Sequence, residues 1–334
     1  MAARHSIQLG TAQESLLVPL YARAVDARKK RSLLNDPKAV EMVDSIDWDF
    51  QRFNQKRRTV GCTLRSAIYD ECVKDFLGRH PQGTVVEIGA GLNTRFERLD
   101  NGAVHWFDLD LPDTIELRRK FFADSARRKT LAASVLDPGW MDAVRQSPGP
   151  YCFVAEAVLI YLTEQQVKLA LAQVAANFPL ASIAFDTGTQ VAVDHENKDH
   201  ARRNLGARFA WACEDPAEIE RWEIGLRLVE SRSMMHVPDS VRSRLSLPAR
   251  AVIHILLKFF PRIANSYRFN LFTVQPEARP TANVVCASPP GASPHPSAAL
   301  ANECGASFTP WCLPSRSPVL RAASGPVPVP LRPR

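Results

Sequence analysis

Short β-branched runs alternate with longer amphipathic segments between residues 83 and 274, and this alternation restricts the fold more than any other feature of the chain. It is typical of a parallel sheet covered by helices on both faces, so it predicts a doubly wound α/β domain with one mostly parallel, seven-stranded sheet. The predicted strands are Thr84 to Ile88, Val104 to Leu109, Thr130 to Val135, Tyr151 to Glu156, Ser182 to Asp186, Leu226 to Glu230 and Tyr267 to Val274.

Two further stretches are expected to be helical. Residues 1 to 80 predict a helical lid that lies against the sheet, because one segment places five side chains on one helical face. These five are Ile68, Cys72, Val73, Phe76 and Leu77. The polar, charge-rich residues 187 to 221 interrupt the alternation of strands and predict a helical insertion on the acceptor side of the active-site mouth.

The C-terminal end of the sequence has a different composition. The last 60 residues contain 13 of the 25 prolines, mixed with Ala, Ser and Gly and without apolar periodicity. Such a composition buries too little apolar surface to order a chain. We therefore predict one domain over residues 1 to 275 and a disordered tail over residues 276 to 334.

Charge and cysteine content disfavour several classes of protein. The net charge of +7 comes from dispersed basic residues, and the densest cluster, Arg28 to Arg31, lacks interleaved aromatic residues, which disfavours nucleic acid as a partner. Seven scattered cysteines include no Cys-x-x-Cys pair, so neither a metal site nor a disulfide framework is predicted. Because no long apolar segment would direct export or span a bilayer, we expect a cytoplasmic protein without a membrane partner.

The stretch from Thr84 to Arg95 is the most informative about function. It reads as a strand, a Gly-x-Gly turn and the start of a helix. Gly89 and Gly91 permit a tight turn whose backbone can approach a ligand, and the helix N-terminus offers unpaired amides. The combination predicts a nucleotide-binding turn, although glycines in such turns are often only structural.

Neighbouring residues indicate which nucleotide to expect. Asp110 ends the next strand about 20 residues beyond the glycines, at the spacing of an acid that binds both ribose hydroxyls. Thr94 replaces the third glycine of the dinucleotide fingerprint, and Glu87 places a carboxylate just ahead of the turn. A pyrophosphate would disfavour that acid, whereas the cationic methionine end of S-adenosylmethionine tolerates it. The residues therefore favour a methyl donor over NAD.

Six blocks, all in the same order, make the chain similar to the leucine carboxyl methyltransferase-like family, which includes the tetracenomycin-type polyketide O-methyltransferases. The blocks are Pro19 to Ala24, Asn35 to Ala39, Glu87 to Arg95, Trp106 to Pro112, Ala133 to Trp140 and Ala155 to Leu162. The resemblance implies a Rossmann-like sheet, S-adenosylmethionine as the cofactor, and methyl transfer to an oxygen of a small-molecule, polyketide-like acceptor.

The resemblance also implies roles for residues on the donor side. Arg65 would grip the carboxylate of the cofactor, a task that suits a planar bidentate donor. Gly89 would pack against the methionine moiety, and Asp110 would bind the ribose. We also predict that Glu87, just ahead of the turn, and Gly91, within it, bind the cofactor.

The remaining predicted residues follow the third and fourth strands. Ser134 and Val135 match a family pair that flanks the adenine ring. Glu156 matches an acid that faces the cofactor, and a glutamate in so apolar a run should not be buried without a partner. Tyr161, five residues later, is the candidate catalytic residue that could point its hydroxyl toward the acceptor, although an aromatic residue there is more often part of the core.

Two residues depart from the family pattern. Asn93 replaces the usual aspartate of the Gly-Leu-Asp-Thr-Arg block, and we expect its amide to cap the following helix. Ala157 replaces the glycine that usually follows the glutamate. That change costs little unless the backbone or a ligand approaches closely.

The chemistry of the acceptor decides which further residues are needed. A carboxylate, which the resemblance suggests, is already ionised at neutral pH and needs no strong base. A phenol would need Tyr161, His105 or Asp186 to assist its deprotonation, and the sequence does not choose among them. Arg95 could orient an acidic substrate or only form a surface ion pair.

Three functions remain as alternatives to small-molecule O-methylation. The chain could methylate a protein C-terminal carboxylate, act as a catalytically inactive cofactor-binding scaffold, or be an NAD-dependent oxidoreductase. Intact Asp110 and Glu156 disfavour the scaffold, whereas Thr94 and Glu87 disfavour the oxidoreductase. The identity of the acceptor and the oligomeric state do not follow from the residues.

Overall fold

A computed structural model describes residues 5–6, 14–53, 56–202 and 206–276 of the 334-residue chain. The predicted disordered tail lies, from residue 277 onward, outside the described residues. A two-residue parallel pairing of His5–Ser6 with Ile46–Asp47 precedes the main sheet.

Seven strands form one sheet, as the alternation of the sequence predicts. They are β1 (Thr84–Ile88), β2 (His105–Asp110), β3 (Arg128–Ala132), β4 (Tyr151–Ala155), β5 (Ser182–Gly188), β6 (Leu226–Ser233) and β7 (Tyr267–Val274). Their spatial order is β3-β2-β1-β4-β5-β7-β6, and β7 alone runs in the direction opposite to the other six strands. The order reverses between β1 and β4, so the carboxyl ends of these two strands border the crevice where open α/β sheets bind ligands.

Helices cover both faces of the sheet. They are α1 (Glu14–Ala27), α2 (Pro37–Ser45), α3 (Lys56–Arg79), α4 (Arg95–Leu99), α5 (Pro112–Arg118), α6 (Trp140–Arg145), α7 (Glu164–Asn177), α8 (Gln190–Arg202), α9 (Asp239–Arg242), α10 (Leu247–Phe259) and α11 (Pro261–Ala264). Short 3₁₀ turns occupy Phe50–Phe53, Leu159–Tyr161 and Pro216–Trp222. A capping box at Thr163 and Gln166 begins α7, since each side chain bonds the backbone N–H of the other residue.

Successive strand residues face two separate layers of core, because side chains alternate across a sheet. Val85 and Cys152 lie in the layer covered by α3, whereas their neighbours Val86 and Phe153 lie in the layer covered by α6 and α7. Four of the five side chains predicted to share one face of α3 are buried there, and Cys72 is half-buried. Helix α3 therefore packs directly on the sheet.

Helices α1 and α2 form a third apolar cluster, which contains Leu92 of the turn after β1. In the region of the predicted insertion, β5 extends to Gly188 and α8 follows, but the described residues 206 to 215 form no helix. Trp211 and Trp222 nevertheless anchor this region, because both pack against the core layer under α7.

Candidate active site

The turn after β1 requires glycine at two positions. Gly89 and Gly91 have φ angles of +63° and +48°, a region that favours glycine. A Cβ atom on Gly89 would overlap the side chain of Val158, and one on Gly91 would lie 3.1 Å from Leu16 Cδ2. We call residues 89 to 93 the glycine turn. Within it residues 90 to 92 are buried, whereas Gly89 and Asn93 are partly exposed.

Asp110, at the end of β2, fixes the glycine turn from the neighbouring strand. Its Oδ2 accepts the backbone N–H of Gly91 at 2.7 Å, and its Oδ1 accepts that of Leu111 at 2.7 Å. Burial raises the pKa of Asp110 to about 6, although these two hydrogen bonds act in the opposite direction. A carboxylate oxygen accepts more than one hydrogen bond, so both oxygens retain capacity for the predicted ribose hydroxyls.

Arg118 supports the glycine turn through hydrogen bonds to its backbone, and the sequence analysis did not identify this residue. Its Nη1 donates to the carbonyl oxygens of Gly91 and Asn93, both at 2.8 Å, and its Nη2 lies 2.9 Å from Asp108. The side chain is fully buried. One signal could have revealed it, because Arg118 follows Ile115 by three residues and so shares the buried face of α5.

A second feature, the carboxylate cluster, surrounds Arg95. Its guanidinium lies 2.9 Å from Asp70 and 2.5 Å from Glu156, and it also pairs with Glu87. Arg95 is 1% exposed. The surface ion pair considered for it is therefore wrong, and its use of every nitrogen on a carboxylate argues against a role in orienting an acidic substrate. Arg95 instead ties α3, β1 and β4 together.

Glu156 directly follows β4 and lies in this carboxylate cluster. Besides Arg95, Arg65 Nε donates to it at 3.0 Å and Ser66 Oγ at 2.9 Å. Burial alone would raise the pKa of Glu156, but the two arginines outweigh burial and lower the pKa to about 2. Glu156 is thus a paired, ionised carboxylate, in line with the argument that burial would require a partner.

Arg65 has hydrogen-bond donors that no described residue uses. Among the described residues only its Nε has a hydrogen-bond partner, and the side chain is partly exposed. Its two terminal nitrogens can therefore receive a carboxylate in the bidentate manner that the prediction requires. Arg65 lies in α3 and meets Glu156 from 91 residues away in the sequence.

Glu87 and Asn93 bond to each other within the site. Asn93 Nδ2 donates to Glu87 Oε1 at 2.9 Å, while Glu87 Oε2 is buried without a partner among the described residues. Burial raises the pKa of Glu87. The expectation that Asn93 caps the following helix is wrong, because Thr94 holds the N-cap position and its side chain makes no capping bond. An amide suits position 93 because an aspartate there would repel Glu87.

Ala157 has a φ of +54°, a left-handed conformation that favours glycine, the residue that the family resemblance implies at this position. Its N–H donates to both carboxylate oxygens of Asp186 at 3.0 Å. Tyr267 Oη donates to the same carboxylate at 2.8 Å. Burial raises the pKa of Asp186 to about 6. Asp186 therefore lies beside the carboxylate cluster and fixes the backbone that carries Glu156.

Three other predicted residues, Ser134, Val135 and Tyr161, belong neither to the glycine turn nor to the carboxylate cluster. Because β3 ends at Ala132, Ser134 and Val135 follow the strand in a loop, where Ser134 is half-buried and Val135 joins the core. Tyr161 packs edge-on against Phe209, with ring centroids 4.8 Å apart. Its placement agrees with the alternative of a packed aromatic residue and leaves its catalytic role a prediction.

His105 is excluded as a base in this site. It begins β2, whereas Asp110 ends the same strand at the site. Five residues of extended strand separate them, a distance of about 17 Å at 3.3 Å per residue. The imidazole therefore lies at the opposite end of β2 from Asp110 and the glycine turn.

The chain is similar to known proteins in both sequence and fold. Residues 17–175 match the family model described as leucine carboxyl methyltransferase. The chain is 30% identical over 270 residues to the tetracenomycin polyketide synthesis O-methyltransferase TcmP of Streptomyces glaucescens, an alignment that covers 80% of this chain and 98% of that protein. It is 27% identical over 253 residues to the S-adenosyl-L-methionine-dependent methyltransferase dpfgK of Gibberella zeae, covering 69% and 85%.

Among solved structures, a DUF574 family protein from Streptomyces avermitilis superimposes with a TM-score of 0.50 at 14% identity, covering 80% of this chain and all of that one. At that identity the likeness concerns the fold. The glycine turn, the acid after β2 and the available nitrogens of Arg65 fit S-adenosylmethionine, and the prediction of this cofactor is confirmed by the sequence relatives. The chain belongs to the leucine carboxyl methyltransferase family of S-adenosylmethionine-dependent methyltransferases.

Proposed function

We propose that this methyltransferase transfers the methyl group to a carboxylate oxygen of a small, polyketide-like molecule in secondary metabolism. One observation carries the choice of carboxylate. Asp186, one of the groups that could assist deprotonation of a phenol, already accepts hydrogen bonds from the Ala157 N–H and the Tyr267 hydroxyl on its two oxygens. A carboxylate acceptor needs no proton acceptor, because it is ionised at neutral pH.

The residues of the site would act by binding and orienting the reactants. Bound S-adenosylmethionine supplies an electrophilic methyl group on its sulfonium. Arg65 would hold the carboxylate of the cofactor with its terminal nitrogens, and Asp110 would accept the ribose hydroxyls. Glu87 Oε2, buried without a described partner, would favour the cationic end of the cofactor. Holding donor and acceptor in near-attack geometry is then the main source of rate acceleration.

The name of the Streptomyces relative supports polyketide chemistry for the acceptor. We further propose that the protein works in the cytoplasm. In its support, no disulfide joins any of the four cysteines in the described part of the chain, as expected in a reducing compartment.

Cofactor binding is tested by isothermal titration with S-adenosylmethionine and S-adenosylhomocysteine, with NAD as the control ligand. We expect saturable binding of the first two and none of NAD. Preference for NAD would overturn the assignment of the cofactor site.

The acceptor class is tested with two aromatic compounds of similar size, one bearing only a carboxyl group and the other only a phenolic hydroxyl. We expect formation of S-adenosylhomocysteine with the first, and release of methanol when its product is treated with base, because esters hydrolyse and ethers do not. Turnover of the phenol alone would contradict the proposal of a carboxylate acceptor while leaving methyl transfer intact.

A further inference from the structure

Helix α10, between β6 and β7, exposes an apolar stripe. Val252, Ile255 and Phe259 follow the i, i+3, i+7 spacing of one helical face and are 55%, 48% and 62% exposed. Phe260 and Ile263 extend this apolar surface into α11, also about half exposed. Among the described α-helices of eight or more residues, α10 alone contains no buried residue. A face of this kind indicates a binding surface.

The same segment is strongly cationic. Residues 240 to 276 contain six arginine and lysine residues and no aspartate or glutamate. Among the described residues no carboxylate pairs with Arg250, Lys258 or Arg262, and Arg250 donates only to the backbone carbonyls of Leu245 and Ser243. Lys258 follows Ile255 by three residues and so lies next to the apolar stripe on the surface of α10, which makes apolar and cationic surfaces adjacent.

A cleft of about 620 Å³ lies between α9, α10 and the carboxyl end of β6. Arg242, Arg250 and His254 line it together with the apolar Ile253 and Leu257. It also contains two acids, Glu230 and Asp239, of which Glu230 pairs with Arg232 at 3.0 Å. Because Arg250, Ile253, His254 and Leu257 repeat at i, i+3, i+4 and i+7, the cleft lies on the face of α10 away from the apolar stripe.

We propose that α10 and α11 bind an anionic phospholipid surface, with the apolar stripe entering the boundary of the acyl chains and with Lys258 and Arg262 meeting phosphate head groups. An amphipathic helix with aromatic and branched apolar residues beside Lys and Arg is the pattern of helices that lie in this interface. No helix in the described part of the chain is long and apolar enough to cross a bilayer. The proposal therefore departs from the expectation of no membrane partner, which was argued from spanning and export segments and did not concern helices that lie on a bilayer surface.

Charge disfavours two other occupants of this surface. A symmetric dimer through α10 would bring Lys258 and Arg262 of both copies together without an acid between residues 240 and 276. The C-terminal residues 277 to 334 carry five arginines and only two glutamates, so they also lack the negative charge needed. An anionic lipid surface complements both the apolar and the cationic part.

The test is co-sedimentation of the full chain with vesicles of phosphatidylcholine alone and of phosphatidylcholine mixed with phosphatidylglycerol. We expect binding to the mixed vesicles, weakened by added salt because the head-group attraction is screened. Lys258→Gln should weaken this binding about fivefold, since one basic side chain near the surface is worth about 1 kcal/mol. Ile255→Asp with Phe259→Asp should abolish it.

The control is Leu180→Asp, which changes a residue that is 65% exposed at another place on the surface. It should leave vesicle binding unchanged. Thermal melting and S-adenosylmethionine titration of each variant separate loss of the fold or of the cofactor site from loss of lipid binding. Equal binding to both kinds of vesicle, an unaffected double variant, or a dimer that the double variant dissociates without any vesicle binding would each overturn the proposal.

Discussion

The glycine turn and the carboxylate cluster hold neighbouring parts of one site by different means. Backbone hydrogen bonds to Asp110 and Arg118 fix the turn, over 19 to 27 residues of sequence. Buried ion pairs fix the cluster, in which Arg95 and Arg65 meet Glu156 from 61 and 91 residues away. The comparison teaches that a compact local motif fixes the turn that would receive the ribose, whereas the part that would receive the methionine end of the cofactor depends on long-range charge pairing and is more sensitive to loss of a single group.

The largest effect should come from Arg95→Met. Removal of the guanidinium leaves Asp70, Glu87 and Glu156 without their shared cation in a buried site, which typically costs about 3 to 5 kcal/mol. We expect urea unfolding to show a loss of that size or an unfolded protein. Arg127→Met, which removes an exposed pair with Asp100, is the control and should leave stability nearly unchanged. Similar losses in both variants would contradict the special role of the cluster.

Acid should weaken the carboxylate cluster through Glu156. Its pKa is lowered from 4.5 to about 2 in the fold, so its contribution is present above about 4.5 and is lost as pH falls through 2. A shift of this size corresponds to about 3 kcal/mol. Unfolding measured between neutral pH and pH 3 should therefore show a steeper loss of stability in the native chain than in Glu156→Gln. Parallel curves would argue against an ionised Glu156.

On the donor side, Asp110→Ala should lower the affinity for S-adenosylmethionine. Loss of the ribose hydrogen bonds to a carboxylate is worth about 1.5 to 3 kcal/mol. Because the pKa of Asp110 is raised to about 6, cofactor affinity of the native chain should also fall as pH drops below 6 and the carboxyl accepts a proton. Isothermal titration at several pH values checks both effects, and a pH-independent affinity would contradict the role given to Asp110.

The smallest effect should be a gain in stability. Ala157 adopts a left-handed conformation, which costs a residue with a Cβ atom about 1 to 2 kcal/mol. Glycine avoids this cost, but it loses more backbone entropy on folding, which offsets part of the gain in stability. Ala157→Gly should therefore stabilise the fold by about 0.5 to 1 kcal/mol, measured by urea unfolding. Ala172→Gly within α7 is the matched control and should destabilise by about 1 kcal/mol. A loss in both variants would refute strain at Ala157.

Much of the fold and the donor side could be predicted from local patterns. The bounds of β1 and β7 agree with prediction because their apolar runs end at turn residues. β3 was placed two residues too far along, since Leu131 to Val135 continue an apolar pattern after the pairing with β2 has ended at Ala132. Arg118 was predictable only from its spacing on the buried face of α5. The environment of Arg95 was not predictable, because a buried arginine and an exposed one have the same sequence signal.

The sequence by itself determined the seven-stranded sheet, the need for glycine at positions 89 and 91, and the acid that follows β2, because strand periodicity and turn geometry are encoded in adjacent residues. The tertiary structure alone decided that Arg95 is buried among three carboxylates, that Asp186 holds the backbone beside Glu156, and that α10 stays exposed. Charge pairing and exposure depend on which distant segments meet, and the packing of the sheet and helices settles that.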